Sequence, residues 1–372
     1  MRRLDIAIAV WGEAYVDAML KWALPTFLAP GNLPACAAIM PIRVTIVTRP
    51  EDAKTILEHP VAEALRAIGE LAVVPLLTKE TFDGANRYDV MALGHRYCLA
   101  ASLRDNAIIT LLSPDCLVAN GSLSRGLRRI SEGKGAVLVA GPRATFEDVT
   151  KRLSGYRDAD DVTSVNIPAR DLVSLAARFP HDISRLLYWT DQPFSRFPSA
   201  IYWRAGEDSF LARYFHLHPL FVDLAVANPD AAKSGTIDGS LLTLAKIRQE
   251  DIYVAEQSDE ICVIELSRID HDPMGSLPLH VANKTKFVAK WAIHATDAAH
   301  RAQFLRYYFK FQGKTEVDWD LTISKSRRDT RALEFLLSYI DLYRLPATLR
   351  NWLRRWISGK SRPLSAIFRL RG

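Results

Sequence analysis

The sequence predicts an α/β protein: a mostly parallel sheet flanked by helices, with a helical C-terminal appendage. Two observations carry this. Strand and helix signals alternate through the first third of the 372 residues, the pattern of parallel strands joined by crossover helices. One strand-like run is also continuously apolar instead of alternating, and delivers a single acid, Asp115, near its end. AIITLLSPDCLVANGSL, from Ala107 to Leu123, is what a strand covered on both faces looks like.

In chain order the expected elements begin with a strand over Asp5 to Val10, a helix from about Tyr15 to Leu28, and a strand over Val44 to Thr48. A helix follows over Pro50 to Ile68, with Thr48 able to cap it and Glu51 and Asp52 in its first turn. Next come a strand from Leu71 to Leu76, a helix from Tyr88 to Leu103 and the Asp115 strand, which turns at Asn120-Gly121. A helix over Leu123 to Ser131 and a strand over Ala136 to Ala140 end at Gly141-Pro142-Arg143. Residues 145–195 read as helical and loop-rich, and Phe197 to Leu224 is crowded with aromatic and His residues. Strands are expected over Ile252 to Glu256 and Ile261 to Leu266, a loop over Asp270 to His280, and helical patterns over Phe287 to Phe311 and Thr330 to Leu342. With no internal repeat and no long linker, the economical division is one domain over 1–320, in halves 1–145 and 146–320, and a basic helical segment over 321–372.

Composition narrows the class. A hydrophobic share of 49% with 24% charged residues is that of an ordinary globular protein. No run reaches the length of about 18 apolar residues that a membrane span needs, and Met-Arg-Arg-Leu-Asp-Ile does not read as a signal peptide, so a cytoplasmic location is expected. Cys36, Cys98, Cys116 and Cys262 show no metal or disulfide spacing and read as packed thiols. The net charge is +6, but the chain from Asp341 onward holds eight Lys/Arg and one acid, a local +7, which leaves the preceding 340 residues at −1. Charge gathered in a tail suits anionic lipid, and nucleic acid is excluded as a partner.

Residues with chemical potential gather where strands end. In open α/β sheets ligands bind outside the carboxyl ends of the strands. Asp115 is placed there to hold a cation or a phosphate-linked group, although Ser113-Pro114-Asp115 is equally a turn that bonds its own backbone. Trp11, Gly12 and Glu13 close the first strand, where a nucleotide base or ribose can lie, but neither GxGxxG nor GxxxxGK[ST] is present. Thr48 and Arg49 close the second strand. Arg96, on the Tyr88 to Leu103 helix, can pair a diphosphate bidentately, and a solvated surface Arg is the bland alternative. His216 and His218 share a face only if extended, and imidazole binds Mn²⁺ or Zn²⁺ or bonds phosphate; aromatic packing beneath a loop is the alternative.

This order of elements, with a strand ending in Thr, an Arg/Tyr helix and an apolar strand closing on an acid, resembles the nucleotide-sugar-binding half of GT-A-fold glycosyltransferases, a Rossmann-like sheet. The resemblance covers about the first 145 residues. It implies a nucleotide-diphosphate sugar donor and a glycan or lipid-linked acceptor, and a divalent metal (Mn or Mg) at the end of the acid-bearing strand. Those enzymes carry Asp-x-Asp there; this chain has Ser113-Pro114-Asp115, leaving either a metal with fewer acidic ligands or a donor held without metal. Asp115 with His216 and His218 would form the metal site. Trp11, Gly12, Glu13, Thr48, Arg49, Arg96 and Arg143 would line the donor.

Gly235 to Leu242 is similar to the acidic loop before the acceptor-side helix in that family, which implies Asp238 as the general base; a helix N-cap is the other reading of Thr236-Ile237-Asp238. His280 and Lys284 resemble the late His and Lys of some retaining sugar transferases, without their glycine and Pro-Trp, and stand as alternatives to His216 and His218. The tail LPATLRNWLRRWI, Leu345 to Ile357, sets Leu and Trp along one helical stripe with Arg opposite. It reads as an interfacial helix on an anionic membrane surface, the alternative being packing on the body. The expectation is a peripheral cytoplasmic glycosyltransferase. Two alternatives remain: a non-catalytic nucleotide- or glycan-binding module, or a nucleotidyltransferase.

Overall fold

A computed structural model describes residues 2–157, 161, 163–234, 237, 240–271 and 278–341. The described strands are β1 (Leu4–Ala9), β2 (Ile42–Val47), β3 (Glu70–Val74), β4 (Ile108–Leu111), β5 (Cys116–Val118), β6 (Ala136–Val139), β7 (Arg143–Thr145), β8 (Ala200–Arg204), β9 (Phe210–Tyr214), β10 (His218–Asp223), β11 (Ile252–Val254), β12 (Val263–Ser267) and β13 (Phe309–Phe311). They make a seven-stranded sheet of order β11-β6-β10-β4-β1-β2-β3 and two three-stranded sheets, β5-β12-β7 and β13-β9-β8. In the large sheet every pairing is parallel except the two made by β10. The fold is therefore the mixed α/β class that the alternating signals imply.

The central strands β1, β2, β4, β6 and β10 are buried almost throughout, which is why they are mostly apolar, whereas the edge strands β3 and β11 are part-exposed. Leu4, Ile6 and Ile8 of β1 pack with Met19, Phe27, Ile56 and Leu127 on one side. Ala7 packs on the other, with Val90 and Leu99 of the helix Arg87–Arg104. Small residues on this second face let the helix come close: a Cβ on Gly94 would sit 2.9 Å from that of Ala9.

The chain runs outward through β1, β2 and β3, then returns to place β4 on the other side of β1. The β1/β4 boundary is thus a topological switch point, and the carboxyl ends of these strands frame a crevice.

Four expectations change. The apolar run from Ala107 to Leu123 is two strands in two different sheets, β4 and β5, and Ser113-Pro114-Asp115 is the corner between them. The Pro50 to Ile68 helix breaks at His59 into Pro50–Glu58 and Pro60–Ile68, because Pro60 lacks an N–H and forces His59 to φ −76, ψ 142. Arg49, not Thr48, occupies the N-cap of the first of these helices, with no side-chain cap bond. The pattern over Phe287 to Phe311 resolves into helices Lys284–Ala295 and Ala298–Arg306 followed by β13, which pairs with β9.

The C-terminal helix, Trp319–Asp341, is built into the body. Its Leu333, Leu336 and Leu337 pack with Trp203, Phe215 and Phe304. Fully buried Arg213 joins β9 to it, bonding Thr330 Oγ1 at 3.0 Å and the Phe304 carbonyl at 2.9 Å and pairing with Glu334. No helix among the described residues is long and apolar enough to cross a membrane. The segment 345–357 lies outside the described residues. All four cysteines are buried free thiols.

Candidate functional site

The corner at Asp115 brings three sheet elements together. Leu266 of β12 donates its N–H to the Asp115 carbonyl at 2.9 Å, and Glu265 is in register with Cys116 of β5 on one side and Arg143 of β7 on the other. Arg143 pairs with Glu265 at 2.5 Å and donates to Ser267 Oγ at 2.9 Å, while its N–H donates to Ser184 Oγ at 2.9 Å. A small crevice opens beside Asp115, walled by Tyr15 and Ala18 from the segment after β1 and by Phe146, Ser267, Arg268 and His271. Among the described residues no other residue donates a hydrogen bond to the Asp115 carboxylate.

Electrostatics follow from this placement. Burial first, then the Glu265 carboxylate, push the Asp115 carboxyl up to about 7, against the opposing pull of Arg143. For Arg143, burial works against the charge, but Glu265 and Asp115 outweigh it and its pKa is raised. Burial raises the Tyr15 phenol and Asp115 adds to it, whereas Arg87, Arg143 and Arg268 oppose. Burial lowers His271, helped by Arg143 and Arg87. The crevice therefore holds neutral imidazole and strong guanidinium charge.

Of the residues singled out in sequence, the structure brings Asp115 and Arg143 together. Trp11, Gly12, Thr48 and Arg49 gather on the β1/β2 side of the same edge. Trp11 packs edge-on against Phe82, with ring centroids 5.7 Å apart. Gly12, at φ 84, donates its N–H to Asp52 at 2.9 Å, and Arg49 grips the same carboxylate at 2.7 and 2.9 Å. Arg49 is thus already occupied by an acid. Thr48 is fully buried, and its hydroxyl has no partner among the described residues. Glu13 is exposed, and Arg96 lies part-buried in mid-helix, away from the helix end that reaches the crevice.

His216 and His218 diverge. His216 precedes β10 and packs against His300, tilted, at 4.4 Å and edge-on against Trp291 at 6.3 Å, whereas His218 opens β10 opposite Val139 of β6, at the carboxyl edge. Lys284 is a structural pin: it donates to the Trp189 and Asp191 carbonyls and lies 4.6 Å from the Phe194 ring centre. His280 is exposed, and Asp238 lies outside the described residues.

The residues missed in sequence are Glu265, Arg268 and His271. Glu265 had a signal, a lone acid in the apolar run ICVIEL, whereas Arg268 and His271 reach the crevice only through tertiary structure.

A divalent cation does not fit this donor set. Glu265 is taken by Arg143, and among the described residues no group of three or more His, Cys, Asp and Glu side chains converges. Asp115, His216 and His218 are therefore not gathered into one cluster.

A larger cavity lies at the opposite edge and is walled by Asp5, Arg43, Glu70 and Tyr97. Its acid is already satisfied. Asp5 accepts from Arg3 at 2.8 Å, Arg43 at 2.7 Å and Ser102 at 2.6 Å. Amino ends of parallel strands are also not where open sheets bind ligands. The smaller crevice is the functional candidate.

No protein-family model matches this chain, and no curated protein matches it. Solved structures similar to it include S. aureus TarS, at 11% identity and TM-score 0.34, covering 97% of this chain and 53% of that one. TarS 1–349 is similar at 12% identity and TM-score 0.36, covering 97% and 88%. The chain thus spans about half the length of the first of these. The functional reading rests on the site and not on this likeness.

Proposed function

We propose that the chain is a glycosyltransferase that moves a sugar from a nucleotide-diphosphate donor to a hydroxyl of a surface glycan or lipid-linked acceptor. The observation that carries the reading is the crevice beyond the carboxyl ends of β1 and β4, where Asp115 and the exposed Arg268 line one space and the Arg143-Glu265 pair lies beside Asp115. Both ends of an activated sugar find partners of the right kind. Carboxyl groups accept hydrogen bonds from sugar hydroxyls, and guanidinium stabilises the charge that builds on a departing diphosphate. Trp11 and Thr48, on the β1/β2 side, would border the nucleotide. Asp238 remains the acceptor-side base on the strength of the sequence resemblance alone.

Thermal shift against uridine, guanosine, cytidine and thymidine diphosphates tests this. A ligand at a hundred times its dissociation constant adds about 2.7 kcal/mol of stability. One of the four should raise the melting temperature, and slow release of that diphosphate from its sugar should vanish in Asp115→Ala. No shift with any nucleotide, and no release, would overturn the reading.

A further inference from the structure

We infer that the donor diphosphate is held by Arg87 and Arg268, with no divalent cation between protein and phosphate; this rests on the transferase reading above. The segment carrying Arg268 is fixed from three sides. The Ser267 hydroxyl accepts from Arg143 at 2.9 Å, the Ile269 N–H donates to Glu147 at 3.2 Å, and His181 Nε2 donates to the Arg268 carbonyl at 2.8 Å. The same His181 accepts the Ile183 N–H at Nδ1, so a neutral ring satisfies both contacts at once. The Arg268 side chain is exposed, and its guanidinium lies 5.2 Å from the Phe146 ring centre, both residues being walls of the crevice.

Arg87 arrives from the other side. It opens the helix Arg87–Arg104, whose N-cap Asn86 accepts from the amides of Tyr88 and Asp89. That helix runs back along the sheet: Gly94 touches the carboxyl ends of β1 and β2, and Ser102 reaches Asp5 at the amino end of β1. Its positive end and Arg87 therefore lie at the carboxyl edge. Neither Arg87 nor Arg268 forms an ion pair with a described carboxylate, in contrast to Arg49 and Arg143. The charges acting on the Tyr15 hydroxyl are one carboxylate, Asp115, against three guanidinium groups, those of Arg87, Arg143 and Arg268. An anion is drawn to such a field, and a divalent cation is repelled by it.

The test uses the full chain with inorganic pyrophosphate and the four nucleoside diphosphates as probes, each in EDTA and in Mn²⁺, read by thermal shift and calorimetric titration. Binding of pyrophosphate and of the preferred nucleotide should be equal within twofold in the two buffers. Arg87→Gln and Arg268→Gln should each weaken it about tenfold, the loss expected for a charge-assisted contact. Both substituted side chains are exposed, so the melting temperature without ligand should not move. Binding that requires Mn²⁺ would overturn the metal-free assignment and leave the transferase reading intact. Unchanged affinity in both variants would overturn the assignment of the two arginines. Pyrophosphate binding with no response to any nucleotide would overturn the transferase reading and the donor assignment together.

Discussion

Asp5 and Asp115 stand at opposite ends of the same sheet and are treated in opposite ways. Asp5, at the amino end of β1, is buried and accepts three hydrogen bonds, two of them from arginines. Asp115, at the corner beyond β4, has a second carboxylate nearby, a crevice beside it and no hydrogen bond from another described residue. The first arrangement completes itself. The second leaves its acceptors open beside a crevice, and that difference separates an acid whose contacts are complete from one whose contacts are not.

The largest expected effect falls on the completed end. Asp5→Ala leaves Arg3 and Arg43 only the exposed Asp105 as counter-charge and should cost about 3 kcal/mol of unfolding free energy. A urea titration showing a loss under 1 kcal/mol would break the contrast.

At the other end the sign should reverse. An acid with a folded pKa of about 7 and an ordinary value of 3.8 destabilises the fold progressively as pH rises from about 4 to 7, because the unfolded chain ionises first. Asp115→Asn should thus be more stable than the parent by roughly 1–3 kcal/mol at pH 8 and equal to it near pH 3.5. Melting curves across that range give the answer, and a variant less stable at pH 8 would show that the ionised acid is satisfied after all.

The smallest effect sharpens the comparison locally. Gly12 sits at φ 84, ψ 141, a region that side chains avoid, yet a Cβ there would meet nothing within 4 Å. Gly12→Ala should cost about 1 kcal/mol through backbone strain alone. A much larger loss in chemical denaturation would mean that the bond from Gly12 to Asp52 had gone with it.

The parallel half was legible because burial on both faces writes itself into β1, β2 and β4 as mostly apolar sequence, interrupted only by Asp5 and Arg43 and by the small hydroxyls of Thr45 and Thr110. Asp115 and Arg143 were legible for a related reason: a charge at the end of such a run has few structural explanations. The path between β4 and β5 was not. A chain that leaves one sheet for another keeps the same apolar composition, and only Pro114 hints at the corner. Glu265 shared that obscurity, since its meaning comes from lying between β5 and β7, strands well over a hundred positions earlier in the chain. The β13 strand was absorbed into a helical pattern because three residues are too few to display a period of two against their neighbours.

The 2.9 Å bond from Leu266 to the Asp115 carbonyl fastens the corner between the two sheets. The acid wall of the crevice is therefore a fixed jaw, unable to shift without tearing a ladder rung. Any adjustment to an incoming molecule falls to the opposite jaw, the short helix bearing Tyr15 and the leading turn that carries Arg87.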